Sequence, residues 1–142
     1  MRTRSKTSIV LDAWAMLALI FQEEPAGARV KSLFDQAESG LVLLHMSWIN
    51  MGEVYYLIAR RKNKKTADSI LSDIQLLPMK LHVPTRSDIL AAASLKAAYA
   101  LSYADAFAVA VTQKLPGEIC TGDPEIISLD HRFKIRRLYR SC

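Results

Sequence analysis

The sequence predicts a single α/β domain built on a central parallel sheet of four to five short strands, with helices on both faces. Three observations carry this expectation. Ser8-Ile9-Val10-Leu11-Asp12 is an apolar, partly β-branched run without alternation that stops at a charge, which is the pattern of a buried strand. A strand buried on both faces belongs to a parallel sheet. Further apolar runs of strand length recur between stretches of helical periodicity, and right-handed crossovers then place helices on both sides. Finally, 142 residues of which 51% are hydrophobic suffice for one core without staples, so residues 1–142 are expected to form one domain.

Taken in order, the strand at Ser8 to Asp12 is followed by a helix over Ala13 to Gln22. Pro25 near a fresh start, then Val30, Leu33, Phe34 and Ala37, give a second helix stopped by Gly40. Leu41 to His45 is a second strand, and Trp48 to Arg61 is helical by periodicity. The basic turn Arg60 to Lys65 leads into a helix ending before Pro78, and Leu81-His82-Val83, bounded by Pro84, is a third strand. Two alanine-rich helices, Ser87 to Ala98 and Ser102 to Lys114, are broken at Pro116-Gly117. Glu118 to Asp123 forms a fourth strand with a loop, and Lys134 to Leu138 a fifth, basic edge strand.

Composition narrows the function classes. Two cysteines, Cys120 in an apolar run and Cys142 at the last position, are too few for a disulfide framework or a zinc site and favour a reducing, cytoplasmic setting. His45, His82 and His131 show no ligand spacing and are expected to be structural. The basic Met1 to Lys6 followed by apolar Ile9 to Phe21 imitates a secretory signal, but Asp12 interrupts the apolar stretch, which is also too short to span a membrane. A net charge of +5 suits a partner carrying phosphates. No GxGxxG or GxxxxGK occurs, and Asp12-Ala13-Trp14 lacks the second aspartate that an aspartyl phosphotransferase would place two residues on.

Four carboxylates fall where carboxylates are unexpected. Asp12 ends an apolar strand and Asp123 follows another, so both belong at one edge of the sheet, where α/β folds bind ligands. Glu53 shares a helical face with Ile49 and Leu57, and Asp105 shares one with Leu101 and Val109. Helix directions return both to the same edge. Each has an ordinary explanation taken alone: a cap for Asp12, a helix dipole for Asp105 and Glu53, a Gly-Asp-Pro turn for Asp123. None of these explains the coincidence of all four. Two unit charges about 4 Å apart repel by roughly 4 kcal/mol at an effective dielectric near 20, so a cation or retained protons must accompany them. All-oxygen ligands select Mg²⁺ or Mn²⁺.

In their order and separation, Ile9-Val10-Leu11-Asp12, Asn50-Met51-Gly52-Glu53-Val54, Tyr103 to Ala110 and Thr121-Gly122-Asp123-Pro124-Glu125 resemble the PIN-domain ribonucleases, and among them the VapC toxins of VapBC toxin–antitoxin pairs. The resemblance covers nearly the whole chain. It implies a PIN-like fold, metal-binding and catalytic roles for Asp12, Glu53, Asp105 and Asp123, and a supporting hydroxyl at Thr121. It marks Asn50 and Glu125 as further residues near the site, although each also reads as an ordinary helix position. Also implied are hydrolysis of RNA phosphodiester bonds to a 5′-phosphate and a 3′-hydroxyl, a homodimer and a cognate antitoxin. The chain departs from the family in two ways: Ala13 replaces the small hydroxyl residue that often follows the first aspartate, and the bulky Trp14 comes next. A catalytically weak or inactive PIN-like module for protein or RNA binding is the alternative that this departure supports. Arg60, Arg61, Lys62, Lys64 and Lys65, with Arg136 and Arg137, are candidates for RNA phosphate contacts, although the first three also suit the negative end of a helix. Trp14, Trp48, Tyr55 and Tyr56 read as core or dimer-interface aromatics rather than stacking platforms.

Overall fold

In a computed structural model, which describes residues 6–141, strand β1 (Thr7–Leu11) lies at the centre of the sheet. The basic residues 1–5 and the terminal Cys142 weighed above lie outside the described residues. Ile9, Val10 and Leu11 are wholly buried, which stabilises the strand's position by roughly 2 kcal/mol per side chain. The remaining elements are α1 (Ala13–Ile20), α2 (Ala26–Glu38), β2 (Val42–Ser47), α3 (Trp48–Arg61), α4 (Lys64–Ile74), β3 (Lys80–His82), α5 (Arg86–Ala98), α6 (Tyr103–Lys114), β4 (Glu118–Thr121), α7 (Pro124–Ile127) and β5 (Ile135–Arg137). All four strand pairings are parallel, in the order β3-β2-β1-β4-β5.

One core cluster gathers Ile9 and Leu11 of β1, alternate residues Val42, Leu44 and Met46 of β2, and buried residues of α1 to α4. The other joins Ile119 of β4 to Ala92 and Leu95 of α5, the apolar run of α6 and Ile126 of α7. Both faces of the sheet are therefore covered, which is why its central strands read as continuous apolar runs.

Several boundaries shift for local reasons. β1 ends at Leu11 because Asp12 is the cap of α1, its buried side chain accepting from the Ala15 N–H at 2.9 Å. β2 runs two residues past His45, since Met46 and Ser47 pair with Leu81 and His82 of β3, and the Ser47 hydroxyl then caps α3. β3 starts at Lys80 and leaves Val83 73% exposed. The caps of α5 and α6 are Thr85 and Ser102, so each helix is offset by one residue from its sequence reading. Gly40 stops α2 as expected, with φ +78, a conformation that side-chain-bearing residues rarely adopt. The short helix α7 is delimited only by the structure, since the sequence reading gives Glu125 as a helix position without bounds, although Asp123 at its cap and Pro124 in its first turn are its signature. The N-terminal stretch is divided between β1 and α1, and no helix of the described residues is long and apolar enough to cross a membrane.

Two of the scattered histidines meet. His45 Nδ1 lies 2.9 Å from His82 Nε2, on neighbouring strands. Burial pushes His45 down to about 4, with His82 and Lys80 adding to the shift. His45 is thus neutral at neutral pH, burial lowers His82 in the same direction, and the His45 Nε2 on the far side of the ring has no partner among the described residues.

Candidate metal centre

The carboxyl ends of β1 and β4 are adjacent, because Leu11 pairs with Cys120 in the central register. Asp12 follows one strand directly and Asp123 follows the other after Thr121-Gly122. α6 begins beside them, with Asp105 in its first turn. One ligand atom from each of Asp12, Asp105 and Asp123 lies within 4.8 Å of the others. Asp12 is 1% exposed and Asp105 6% exposed, so two of the three carboxylates are withdrawn from water.

The surrounding hydrogen bonds fix these carboxylates rather than neutralise them. The Thr121 hydroxyl donates to Asp12 Oδ2 in a short hydrogen bond and accepts from the Asp123 N–H at 2.9 Å, so one side chain ties two of the acids together. Asp123 caps α7 by accepting from the Glu125 N–H at 2.9 Å. Glu125 points back and accepts from the Ser102 N–H at 3.2 Å, and the Ser102 hydroxyl accepts from the Asp105 N–H at 3.1 Å. Glu125 therefore clasps the start of α6. The sequence reading takes Ser102 as the first residue of a helix and misses its part in holding Asp105, although Ser-x-x-Asp at a helix start is the signal that finds it. Asn50, fully buried on α3, donates from Nδ2 to the Ala104 carbonyl at 2.9 Å, and its Oδ1 has no partner among the described residues.

Burial is the main cause that raises Asp12 to about 7; the Thr121 and Ala15 hydrogen bonds oppose it, and the charges of Asp123 and Glu53 add to it. Asp105 is raised by burial first and by Asp123 and Asp12 next. Among the described residues no Lys, Arg or His forms an ion pair with any of these acids. At the separations seen here each ionised pair repels by roughly 3–4 kcal/mol at an effective dielectric near 20. A hard divalent cation fits this arrangement: the donors are all oxygen, they converge within coordination reach of one point, and the orphaned Asn50 Oδ1 is a further acceptor deep in the same region.

Glu53 departs from the expectation that all four acids meet. It is partly exposed and falls outside the group of three, although burial and the Asp123 charge raise it and it in turn raises Asp12. The reason lies in its helical face. Ile49, one turn before it, is 38% exposed, whereas Leu101 and Val109 around Asp105 are 3% and 0% exposed. Spacing identified both faces as apolar, but only one is buried. Ala13 is itself buried, and the hydroxyl reaching Asp12 comes from Thr121 across the sheet.

The basic candidates separate into engaged and free. Arg61 lies over the Phe21 ring at 4.1 Å and Arg60 over Tyr56 at 5.0 Å, while Lys64 pairs with Asp68 at 3.0 Å. Arg136 pairs with Glu118 at 2.9 Å, and Arg137 covers Tyr139. Lys62 and Lys65 are exposed and have no ion pair among the described residues. Trp14, Trp48 and Tyr55 pack against the first core cluster, but Tyr56 is 44% exposed.

Comparison with known proteins places this geometry in a family. The family model described as PIN domain matches residues 9–136. No curated protein matches the chain. Among solved structures, Mycobacterium tuberculosis VapC20, described as a sarcin–ricin-loop-cleaving toxin, is 20% identical with a TM-score of 0.72, covering 92% of this chain and 99% of that one. DNA-bound VapBC from Salmonella typhimurium is 10% identical with a TM-score of 0.71, covering 92% and 98%. VapBC2 from Rickettsia felis, bound to a promoter DNA fragment, is 12% identical with a TM-score of 0.69, covering 93% and 99%. At these identities the likeness concerns the fold, and the sequence match carries the assignment: the chain belongs to the PIN-domain family.

Proposed function

We propose that the chain, as one nuclease domain over residues 1–142, is a divalent-metal-dependent endoribonuclease and the toxin of a toxin–antitoxin pair. The observation that carries this reading is the convergence of Asp12, Asp105 and Asp123 within 4.8 Å at the carboxyl edge of the sheet, with no ion-pairing cation among the described residues. Family membership and the VapC-like fold support the same reading.

In this proposal Asp12, Asp105 and Asp123 hold Mg²⁺ or Mn²⁺, and Glu53 extends the acidic rim toward the substrate. A bound ion of this kind supplies an acidified water and stabilises charge on the attacking and leaving oxygens of a phosphodiester. The protein's own groups set the stage. Thr121 holds the Asp12 and Asp123 segments in register, Glu125 and Ser102 fix the first turn of α6, and Asn50 braces that turn against α3. Glu53, whose carboxyl is raised by burial and by Asp123, retains a proton more readily than a solvated glutamate and is suited to exchange one at its carboxylate. Hydrolysis leaves a 5′-phosphate and a 3′-hydroxyl.

The substrate is single-stranded or looped RNA. Lys62, Lys65 and Arg137 are the free or lightly engaged cations suited to its phosphates, with Arg60, Arg61, Lys64 and Arg136 supplying field rather than contact. A cognate antitoxin and a second copy of the chain are the protein partners, in the cytoplasm. The exposed Ile89 and Leu90 of α5 and Tyr103 of α6 are apolar surface of the kind a second copy covers. The experiment is cleavage of a mixed RNA pool with Mn²⁺ and with EDTA, using the unaltered protein and Asp105→Asn. Cleavage is expected only for the unaltered protein with metal. Cutting that persists in EDTA or in Asp105→Asn refutes the reading, and metal-induced stabilisation without cleavage of any RNA favours the inactive-module alternative.

A further inference from the structure

We propose that Trp14 is a positioning residue for Asp123, acting through Gly122, and that the C-terminal segment from Leu138 to Ser141 is a strap that holds the indole in place. The inference rests on the reading of Asp123 as a metal ligand.

Trp14 stands in the first turn of α1, two residues after Asp12, and its ring reaches across to the turn between β4 and α7. A Cβ at Gly122 would lie 2.6 Å from Trp14 Cζ3 and closer still to Cζ2 and Cη2. The benzo edge of the indole thus abuts the backbone of the residue that separates Thr121 from Asp123. Gly122 is required here by space, since its φ lies outside the left-handed region.

The strap completes the arrangement. Leu138 donates its N–H to the Thr121 carbonyl at 2.8 Å, so it starts at the same turn. Arg140 then lies over the indole face, 5.0 Å from its centroid, and its Nη1 pairs with Glu23 at 2.9 Å. A β-bridge between Pro25 and Arg140 and a hydrogen bond from the Ser141 N–H to the Glu24 carbonyl at 2.9 Å fasten the far end. The indole is bounded at its edge by the Asp123 turn and on its face by a guanidinium paired with Glu23, carried on a backbone that is bridged to Pro25. Without the ring, the Asp123 backbone N–H bond to Thr121 and the cap of α7 are left to fix that carboxylate.

Mn²⁺ affinity, read from the electron paramagnetic resonance signal of free Mn²⁺, tests this on the full chain. Trp14→Ala is expected to weaken Mn²⁺ binding by about tenfold, within the range seen when groups that orient metal ligands are removed. Gly122→Ala is expected to weaken it similarly by driving a methyl into the indole. The double variant is expected to bind no worse than Trp14→Ala alone, because the clash is gone; such non-additivity is what direct contact produces. Trp14→Phe should recover part of the loss. Thermal melts in EDTA run alongside, since a merely structural tryptophan lowers the melting temperature while leaving Mn²⁺ affinity unchanged. Should Trp14→Ala fail to fold, Gly122→Ala and Trp14→Phe decide the matter. Variants that bind Mn²⁺ as the unaltered protein does overturn this proposal alone. An unaltered protein that binds no Mn²⁺ overturns the metal-site reading and this proposal with it.

Discussion

Two groups of like titratable side chains are buried against the same sheet. At β2 and β3, His45 and His82 meet nitrogen to nitrogen at 2.9 Å; beyond β1 and β4, Asp12, Asp105 and Asp123 meet within 4.8 Å. Burial and like neighbours push the histidine down to about 4 and the aspartate Asp12 up to about 7. Both shifts favour the neutral form, yet their outcomes at neutral pH are opposite. A histidine depressed to about 4 is uncharged, and one ring can donate to the other, so the pair needs no counter-charge, although the buried His45 Nε2 has no partner among the described residues. An aspartate raised to about 7 beside two others keeps its proton into the neutral range, and a cation can take that proton's place. The difference teaches that burial of like groups has unlike consequences: histidines can shed their charge and share a hydrogen bond, whereas neighbouring carboxylates gathered without a counter-charge are suited to a cation.

The largest effect expected from breaking this contrast is on catalysis. Asp12→Ala and Asp105→Asn should each reduce RNA cleavage by at least ~10²-fold, as removal of one group that stabilises developing charge does, measured as initial rates on a labelled RNA pool. Glu53→Gln, at the rim, should fall between these variants and the unaltered protein.

Next comes the response to metal. At 100 times its dissociation constant, Mn²⁺ should stabilise the fold by about 2.7 kcal/mol, read from urea midpoints with and without EDTA. Because metal and proton compete for the same oxygens, the gain should be larger at pH 8 than at pH 5. A gain equal at both would separate metal binding from these carboxylates.

The pH dependence of the metal-free protein sharpens the comparison further, since the two groups contribute slopes of opposite sign. Asp12 holds a proton in the folded state that the unfolded state releases near 3.8, so its contribution is complete below that pH and is lost as pH rises toward about 7. His45 stays neutral in the folded state while the unfolded state takes up a proton near 6.5, so its contribution is complete above 6.5 and is lost as pH falls toward about 4. Asp105→Asn should flatten the loss at rising pH, and His82→Gln the loss at falling pH, in urea midpoints taken in EDTA. The smallest effect expected is that of Lys62→Ala or Lys65→Ala, each lowering the salt slope of RNA affinity by about one while leaving cleavage chemistry unchanged.

Much of the centre was legible in the chain because its signals are local. Asp12 and Asp123 stand out by ending apolar strands, and Asp105 by its place between Leu101 and Val109, which the fold buries at 3% and 0% exposure. Glu53 shows the limit of that logic. Its neighbours at the same spacing are apolar, but Ile49 is 38% exposed and Glu53 itself only partly buried, so this face of α3 is not covered as that of α6 is. The helix read over Trp48 to Arg61 ends there, but the basic turn read up to Lys65 narrows to Lys62 and Asn63 because α4 starts at Lys64, and Arg61 is engaged by Phe21 and Lys64 by Asp68.

Periodicity and turn chemistry by themselves determined the α/β alternation and the parallel sheet, and they singled out Asp12, Asp105 and Asp123 as acids in apolar surroundings, because burial on both faces and helical phase are written into neighbouring residues. The tertiary structure alone decided which residues touch across long separations. Thr121 bonds to Asp12 over 109 positions, Asn50 to Ala104 over 54 and His45 to His82 over 37, and the Trp14 ring occupies the space that a side chain at Gly122 would need. Such contacts depend on strand register and helix docking, which are set by packing of the whole core, so no local pattern encodes them.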